Sequence, residues 1–328
     1  MLNNVPVSVL DTAVVLSGRP ESEALSNTVT TACQAEQLGF RRYWVAEHHG
    51  SAAFASVDPA VLVATLAART ESIRVGSGGV MLPNHLPFMV AEQFGALGAL
   101  SGGRVDLGIG KGTGTADAAV ADVLRRGGPP PSDGDYAGQV SRLLGYFTPG
   151  ASLDVRAVMA ENFPPQVWML GSGESSATLA AELGLPLAVA NHIRPGSTEQ
   201  ALDVYRRRFK PSRWLDRPQV MVSVTVICAE TDERAEELAR PFEVLVAQAL
   251  AGQKAPLATA EQAAQYTFTP RERQFIAALR EGEVRGDAER TRRDLAALID
   301  RFAPDELIVT VPVYEIEDRV RVLELIVG

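Results

Sequence analysis

Two cysteines, Cys33 and Cys228, are all that 328 residues contain. Such distant thiols make neither a disulfide framework nor the spacing of a zinc site, so both are expected as buried free thiols of a cytoplasmic protein. Positive charge is in deficit: 31 Lys and Arg stand against 40 Asp and Glu, a net charge of −9. That balance disfavours nucleic acid and anionic membranes as partners. No apolar run reaches the roughly 18 residues of a membrane helix. The first residues, Met1 to Leu16, have no basic n-region, and Pro6 and Asp11 interrupt their apolar run, so no secretory leader is expected. A nucleotide fingerprint is also missing. Gly108-Ile109-Gly110-Lys111-Gly112 is followed by Thr113, which satisfies neither GxGxxG nor a phosphate loop.

What is present is a steady alternation of short apolar segments with amphipathic ones, at an ordinary 46% hydrophobic and 22% charged content. Val5–Leu10, Arg42–Ala46, the segment opening at Ile73-Arg74-Val75, Val105–Gly110, Gln166–Leu170, Leu187–Ala190, Val220–Ile227 and Leu307–Val311 read as strands. Near-continuous apolar strands bury both faces, as a parallel sheet requires. Helical periodicity follows them over Ser22–Leu38, Pro59–Arg69, Phe88–Leu100, the segment ending at Leu183, Glu199–Phe209, the charged stretch from Thr231, and Ile316–Ile326. Eight such units with no composition break predict an α/β fold, a (β/α)8 TIM barrel forming one domain over residues 1–328. Two segments depart from the rhythm. Residues 113–165, with Gly127-Gly128-Pro129-Pro130-Pro131, form an excursion after strand four with one or two helices; residues 252–290 form a second, before strand eight.

Barrel active sites collect at the C-terminal ends of strands. Those ends carry Glu47-His48-His49, Gly78-Gly79, Gly110-Lys111-Gly112, Gly171-Ser172-Gly173 and Asn191-His192, and the fourth histidine, His85, follows the Gly-Gly strand. Glycines inside a strand mark a tight turn, a bulge, or a place where a flat ligand lies on bare backbone. Adjacent histidines on a strand point to opposite faces and chelate one ion poorly, and no further ligand set completes a metal site. Proton transfer by His48 with Glu47 as its partner suits a side chain that titrates near neutrality; the other reading is a histidine satisfied at the rim, more so for His49 and His85. Lys111 is a cation for a phosphate or an exposed loop lysine. The run Ser172-Gly173-Glu174-Ser175-Ser176 leads a strand into a helix whose first-turn N–H groups and hydroxyls can hold a phosphate, or its serines simply cap the helix.

Together these segments resemble the bacterial luciferase-like flavin-dependent monooxygenases. The resemblance rests on Tyr43-Trp44-Val45-Ala46-Glu47-His48-His49, on Val75 to Pro87 with Pro83-Asn84-His85-Leu86-Pro87, on Ala91-Glu92-Gln93-Phe94 through Arg104, and on Val167 to Pro186. It spans about residues 5–230; the two excursions match poorly. It implies FMN at the barrel mouth, its phosphate toward Ser172, Gly173 and Ser176 and its ring against Gly78-Gly79, where the family often has a non-proline cis peptide. It also implies His48 as the catalytic histidine beside Glu47. Lys111 stands where the family has a phosphate-binding arginine, keeping the charge but not the bidentate fork; Arg125 or Arg126 is a candidate second cation.

The implied reaction is monooxygenation of a small organic substrate by reduced FMN and O2 through a C4a-(hydro)peroxyflavin. The reduced flavin would come from a separate flavin reductase, and the protein is expected as a homodimer packed through its early barrel helices. Three alternatives stand beside it: hydride transfer with F420 on the same barrel, a metal-dependent barrel hydrolase, and a flavin-binding protein without catalysis.

Overall fold

In a computed structural model describing Leu2 and residues 4–328, the chain forms nine strands and thirteen α-helices among the described residues. The strands are β1 (Val7–Asp11), β2 (Arg42–Val45), β3 (Arg74–Met81), β4 (Val105–Gly110), β5 (Gln166–Gly171), β6 (Leu187–Val189), β7 (Val220–Ala229), β8 (Glu283–Asp287) and β9 (Glu306–Thr310). Helices α1 (Glu21–Gln37), α2 (Pro59–Arg69) and α3 (Pro87–Leu100) follow the first three strands, and α4 (Ala118–Leu124), α5 (Asp133–Tyr146) and α6 (Val158–Asn162) lie between β4 and β5. After β5 and β6 come α7 (Glu174–Leu183) and α8 (Thr198–Arg208); after β7 come α9 (Asp232–Leu250), α10 (Ala260–Gln265) and α11 (Pro270–Arg280). Helices α12 (Ala288–Phe302) and α13 (Ile316–Val327) follow β8 and β9.

All pairings between these strands are parallel. The order β6-β5-β4-β3-β2-β1-β9-β7, with β6 also paired to β7, closes an eight-stranded ring, the expected (β/α)8 barrel. Two details differ from the sequence reading. The first excursion holds three helices rather than one or two. The second ends in a ninth strand, β8, which pairs with the far half of β7, Thr225 to Ala229, beyond the ring; helix α12 after it was also unread. Glu283-Val284-Arg285-Gly286-Asp287 has no apolar alternation because Arg285 is buried against carboxylates, 2.8 Å from Glu236 and 2.9 Å from Glu243, and bonded to Glu283. Lys254 of the second excursion pairs with Asp117 of the first, so the two segments meet.

The barrel interior is layered. Its floor is polar: the buried Arg42 reaches Glu306 at 2.8 Å, Asp106 at 2.8 Å and Gln166 at 2.9 Å, while Asp106 also accepts from Trp44 Nε1 at 3.0 Å and Arg74 Nε at 2.8 Å. A buried cation at this depth requires such saturation, since transfer from water is otherwise prohibitive. Above it lies an apolar plug in which Trp44 and Trp168 meet edge to face at 5.6 Å, packed with Leu10, Leu170, Ala188, Met221 and Ile308. This plug accounts for part of the glycine run on β3. A Cβ on Gly78 would come within 2.6 Å of Leu10 and 3.2 Å of Trp44, and one on Gly79 within 2.7 Å of the Gly108 carbonyl. Trp44 and Leu10 sit where they do because Gly78 has no side chain.

Arg42→Ala leaves Asp106 and Glu306 buried with one cation fewer, and it is expected to cost about 3–5 kcal/mol. Urea denaturation measures this; an unchanged midpoint would show that water replaces the guanidinium freely.

Candidate active site

The C-terminal ends of β2 to β7 surround one mouth. Beyond β2 the backbone stays extended, so successive side chains alternate. Glu47 and His49 share one side, and His48 takes the other.

Glu47 is 1% exposed and saturated with donors. It accepts from the Met81 amide at 2.9 Å, Asn84 Nδ2 at 3.0 Å, His49 Nε2 at 2.8 Å and His85 Nε2 at 3.0 Å. Asn84 also donates to the Thr113 carbonyl at 3.1 Å, and the His49 amide donates to Gly114 O at 2.8 Å. One carboxylate therefore ties the ends of β2 and β3, the turn before α3 and the start of the first excursion. Burial opposes its ionisation, but the hydrogen bond and charge of His85, then His49 and the Met81 amide, outweigh this and lower its pKa. Burial likewise opposes charging of His85, and the Glu47 hydrogen bond and charge overcome it and raise its pKa. These contacts correct the expected pairing: Glu47 holds His49 and His85, and none of its side-chain bonds goes to His48. Among the described residues no group of three or more His, Cys, Asp or Glu is arranged to hold a metal ion.

His48 is half-buried and stacked on Phe54 with ring centroids 4.4 Å apart. Its amide donates to the Ser56 carbonyl at 2.8 Å and its Nδ1 lies 3.4 Å from Ser56 Oγ, whose proton goes to Thr12 O at 2.9 Å. Burial, then the charge of His49, lowers its pKa to about 4, so the ring is neutral at physiological pH. On the adjacent strand the Gly78–Gly79 peptide is cis, as the family resemblance implied. The β3–β4 register shifts between Gly78 and Val80.

A second group of the expected residues also converges. Lys111, just after β4, pairs with Asp133 at the start of α5, and Ser175 Oγ lies 3.3 Å from the same carboxylate. Gly173 N-caps α7 with no side-chain cap, and no atom lies within 4 Å of where its Cβ would be. The first turn of this ten-residue helix has no side-chain cap, and its Ser175 shares Asp133 with Lys111. Ser176 turns away, its hydroxyl donating to Gly173 O at 2.9 Å beneath Gly171. Ser172 takes part through its carbonyl, which accepts from Ser197. Arg125 is held by its own turn, donating to Gly128 O at 3.1 Å, and none of its described bonds reaches this cradle. Asp133 and Ser197 carry no sequence signal, because Asp133 opens a distant helix and Ser197 lies in a turn beyond β6.

His192, noted at a strand end and otherwise unassigned, also faces the mouth. Its Nδ1 is bonded to Ser223 on β7, whose hydroxyl donates to Val189 O at 3.1 Å.

The family model for luciferase-like monooxygenases matches residues 6–324. A luciferase-like monooxygenase of Escherichia coli (strain K12) is 35% identical over 98% of this chain and 96% of its own. The solved structure of apo-MsnO8 is 33% identical, with a TM-score of 0.88 over 99% of this chain and 98% of that one. More distant structures share the fold alone. The oxygenating constituent of 3,6-diketocamphane monooxygenase from Pseudomonas putida, solved with FMN, is 17% identical with a TM-score of 0.71, covering 100% of this chain and 97% of that one. The F420-dependent tetrahydromethanopterin reductase of Methanopyrus kandleri is 16% identical with a TM-score of 0.65, covering 99% and 97%.

Glu47→Gln should destabilise the protein by about 1–3 kcal/mol, because buried donors lose their partner. The sign of each shift sets the window. The raised His85 contributes fully below its unfolded value of 6.5 and its contribution is lost as pH rises through the folded one. The lowered Glu47 contributes above 4.5 and its contribution is lost as pH falls. The stability gap between wild type and variant is therefore expected to be widest between 4.5 and 6.5. Denaturation at a series of pH values, with an NMR titration of His85, measures both; a gap independent of pH would exclude the ion pair as its source.

Proposed function

Because the chain belongs to the luciferase-like monooxygenase family, we propose that it is a flavin-dependent monooxygenase using reduced FMN and O2 on a small organic substrate. The observation that carries this reading is the joint placement of His48, the bare Gly78–Gly79 backbone and the Lys111–α7 cradle around one mouth.

The cradle has the donor set that a phosphate needs: the free N–H groups of the first turn of α7, the Ser175 hydroxyl and one cation. Asp133 holds Lys111 there and must yield it, so its carboxylate moderates the affinity. A flavin's ring fits against Gly78–Gly79, where no side chain stands between it and the backbone. When bound, the reduced flavin supplies the electrons that activate O2, one oxygen passing to the substrate and the other to water. His48 is a base in this arrangement. With Nδ1 turned to Ser56, its neutral Nε2 can accept a proton and return it at the mouth. The first excursion, tied to Glu47 through Thr113 and Gly114, serves as the cover that excludes water and selects the substrate.

Reduced flavin would arrive from a separate reductase, as the chain has no nicotinamide fingerprint. The exposed Val61, Leu86, Met89 and Leu100 on and beside α2 and α3 support a homodimer packed through those helices. Two free cysteines support a cytoplasmic location, and among the described residues no helix is long and apolar enough to cross a membrane. Hydride transfer with F420 is the second reading, favoured by the shared fold of the Methanopyrus kandleri reductase.

Titration with FMN, reduced FMN and F420, followed by oxygen uptake over a substrate panel, separates the two readings: tight F420 binding without O2 consumption would select the second. His48→Ala should leave flavin affinity intact while cutting oxygenation by about 10²-fold or more; undiminished turnover would remove His48 from the chemistry. Lys111→Ala should weaken FMN about tenfold, the scale of one charge-assisted bond, and leave riboflavin, which has no phosphate, unaffected. Equal losses for both would place Lys111 elsewhere.

A further inference from the structure

The four histidines fall into two chemically opposite pairs. His49 and His85 both present Nε2 to the Glu47 carboxylate, which only accepts, so Nε2 carries a proton in each. His48 and His192 are the reverse. Ser223 Oγ lies 3.1 Å from Val189 O and bonds His192 Nδ1; with its proton on the carbonyl, it accepts from His192 Nδ1–H. Ser56 gives its proton to Thr12 O and faces His48 Nδ1 in the same way. In that arrangement Nε2 of both rings is left as a bare lone pair.

Both rings are half-buried at the mouth. Their strands, β2 and β6, are four steps apart either way round the eight-stranded ring and so stand opposite one another. Burial, then the charge of His48, lowers the His192 pKa to about 4. At neutral pH the mouth therefore offers two acceptors from opposite sides, which cannot satisfy each other. A ligand between them must bring donors. An oxidised flavin ring has one ring N–H; two-electron reduction adds a hydrogen at N5, and in the neutral form a second at N1.

We propose that His192 is a ligand-contacting residue of this mouth, whose Nε2 accepts a hydrogen bond from the reduced flavin ring and so favours reduced over oxidised flavin. The proposal rests on the flavin reading above. Ser223 acts through His192 as a positioning residue, fixing the tautomer that makes Nε2 an acceptor.

The test uses the full chain and anaerobic equilibrium titrations with oxidised and with reduced FMN, the readout being the ratio of the two dissociation constants. In His192→Asn the amide occupies the place of Nδ1 beside Ser223 and withdraws the acceptor from the mouth. In His192→Gln the amide reaches the place of Nε2. The Asn variant is expected to reduce the preference for reduced FMN about tenfold, and Gln to restore most of it. An unchanged ratio in the Asn variant, or equal loss of affinity for both redox forms, overturns the proposal, as does a Gln variant no better than Asn. Long-range 1H–15N NMR of the wild type reads the tautomer independently, and an Nε2–H form of His192 also overturns it. If the wild type binds neither form of FMN, the flavin reading itself has failed; binding with an unaltered ratio fails only His192.

Discussion

The mouth of this barrel depends on the saturation of one buried carboxylate. Glu47 cannot remain ionised at 1% exposure without several donors, and those it recruits are His49 just beyond β2 and Met81, Asn84 and His85 at and beyond the end of β3. Meeting that demand consumes His49 and His85 and holds the first excursion to the barrel. The extended backbone then leaves His48, between Glu47 and His49, facing the other way. A histidine free for chemistry is in this sense a consequence of its neighbours being committed to structure.

Floor and mouth solve different problems with similar residues. At the floor, Arg42 is buried among carboxylates and an amide, a closed network with nothing left to offer a ligand. At the mouth, the polar groups are less complete: the first turn of α7 has no side-chain cap, Lys111 pairs with an exposed aspartate, and two imidazoles meet serines through Nδ1. Between the two levels lies the tryptophan pair with its apolar neighbours. The glycines of β3 serve both levels, since Gly76 and Gly78 make room for the floor and the plug while Gly78–Gly79 leaves backbone bare above.

Much of the barrel was legible because its signals are local. Parallel strands buried on both faces are apolar over several consecutive residues, and seven of the eight ring strands were read to within about two residues of their ends; the eighth, β3, runs on through its glycines to Met81. Strand β8 escaped because its stabilisation comes from Glu236 and Glu243 on α9, so that Arg285 reads as a surface charge in isolation. The pairing of Glu47 with His48 was mistaken for a related reason. Adjacency in sequence suggests contact, while extended geometry turns neighbours to opposite sides; the partners are His49, two residues on, and Met81, Asn84 and His85, 34 to 38 residues away.

The amino-acid sequence by itself determined the layered α/β architecture, the position of the mouth, and the residue types at strand ends, because each follows from apolar periodicity and from glycines and prolines at fixed places. Only the tertiary structure decided which of those residues share a proton. Whether a histidine donates or accepts is settled by the group at its other nitrogen. For His192 that group is a serine 31 residues away on the next strand of the ring, a contact created by barrel closure and invisible before it.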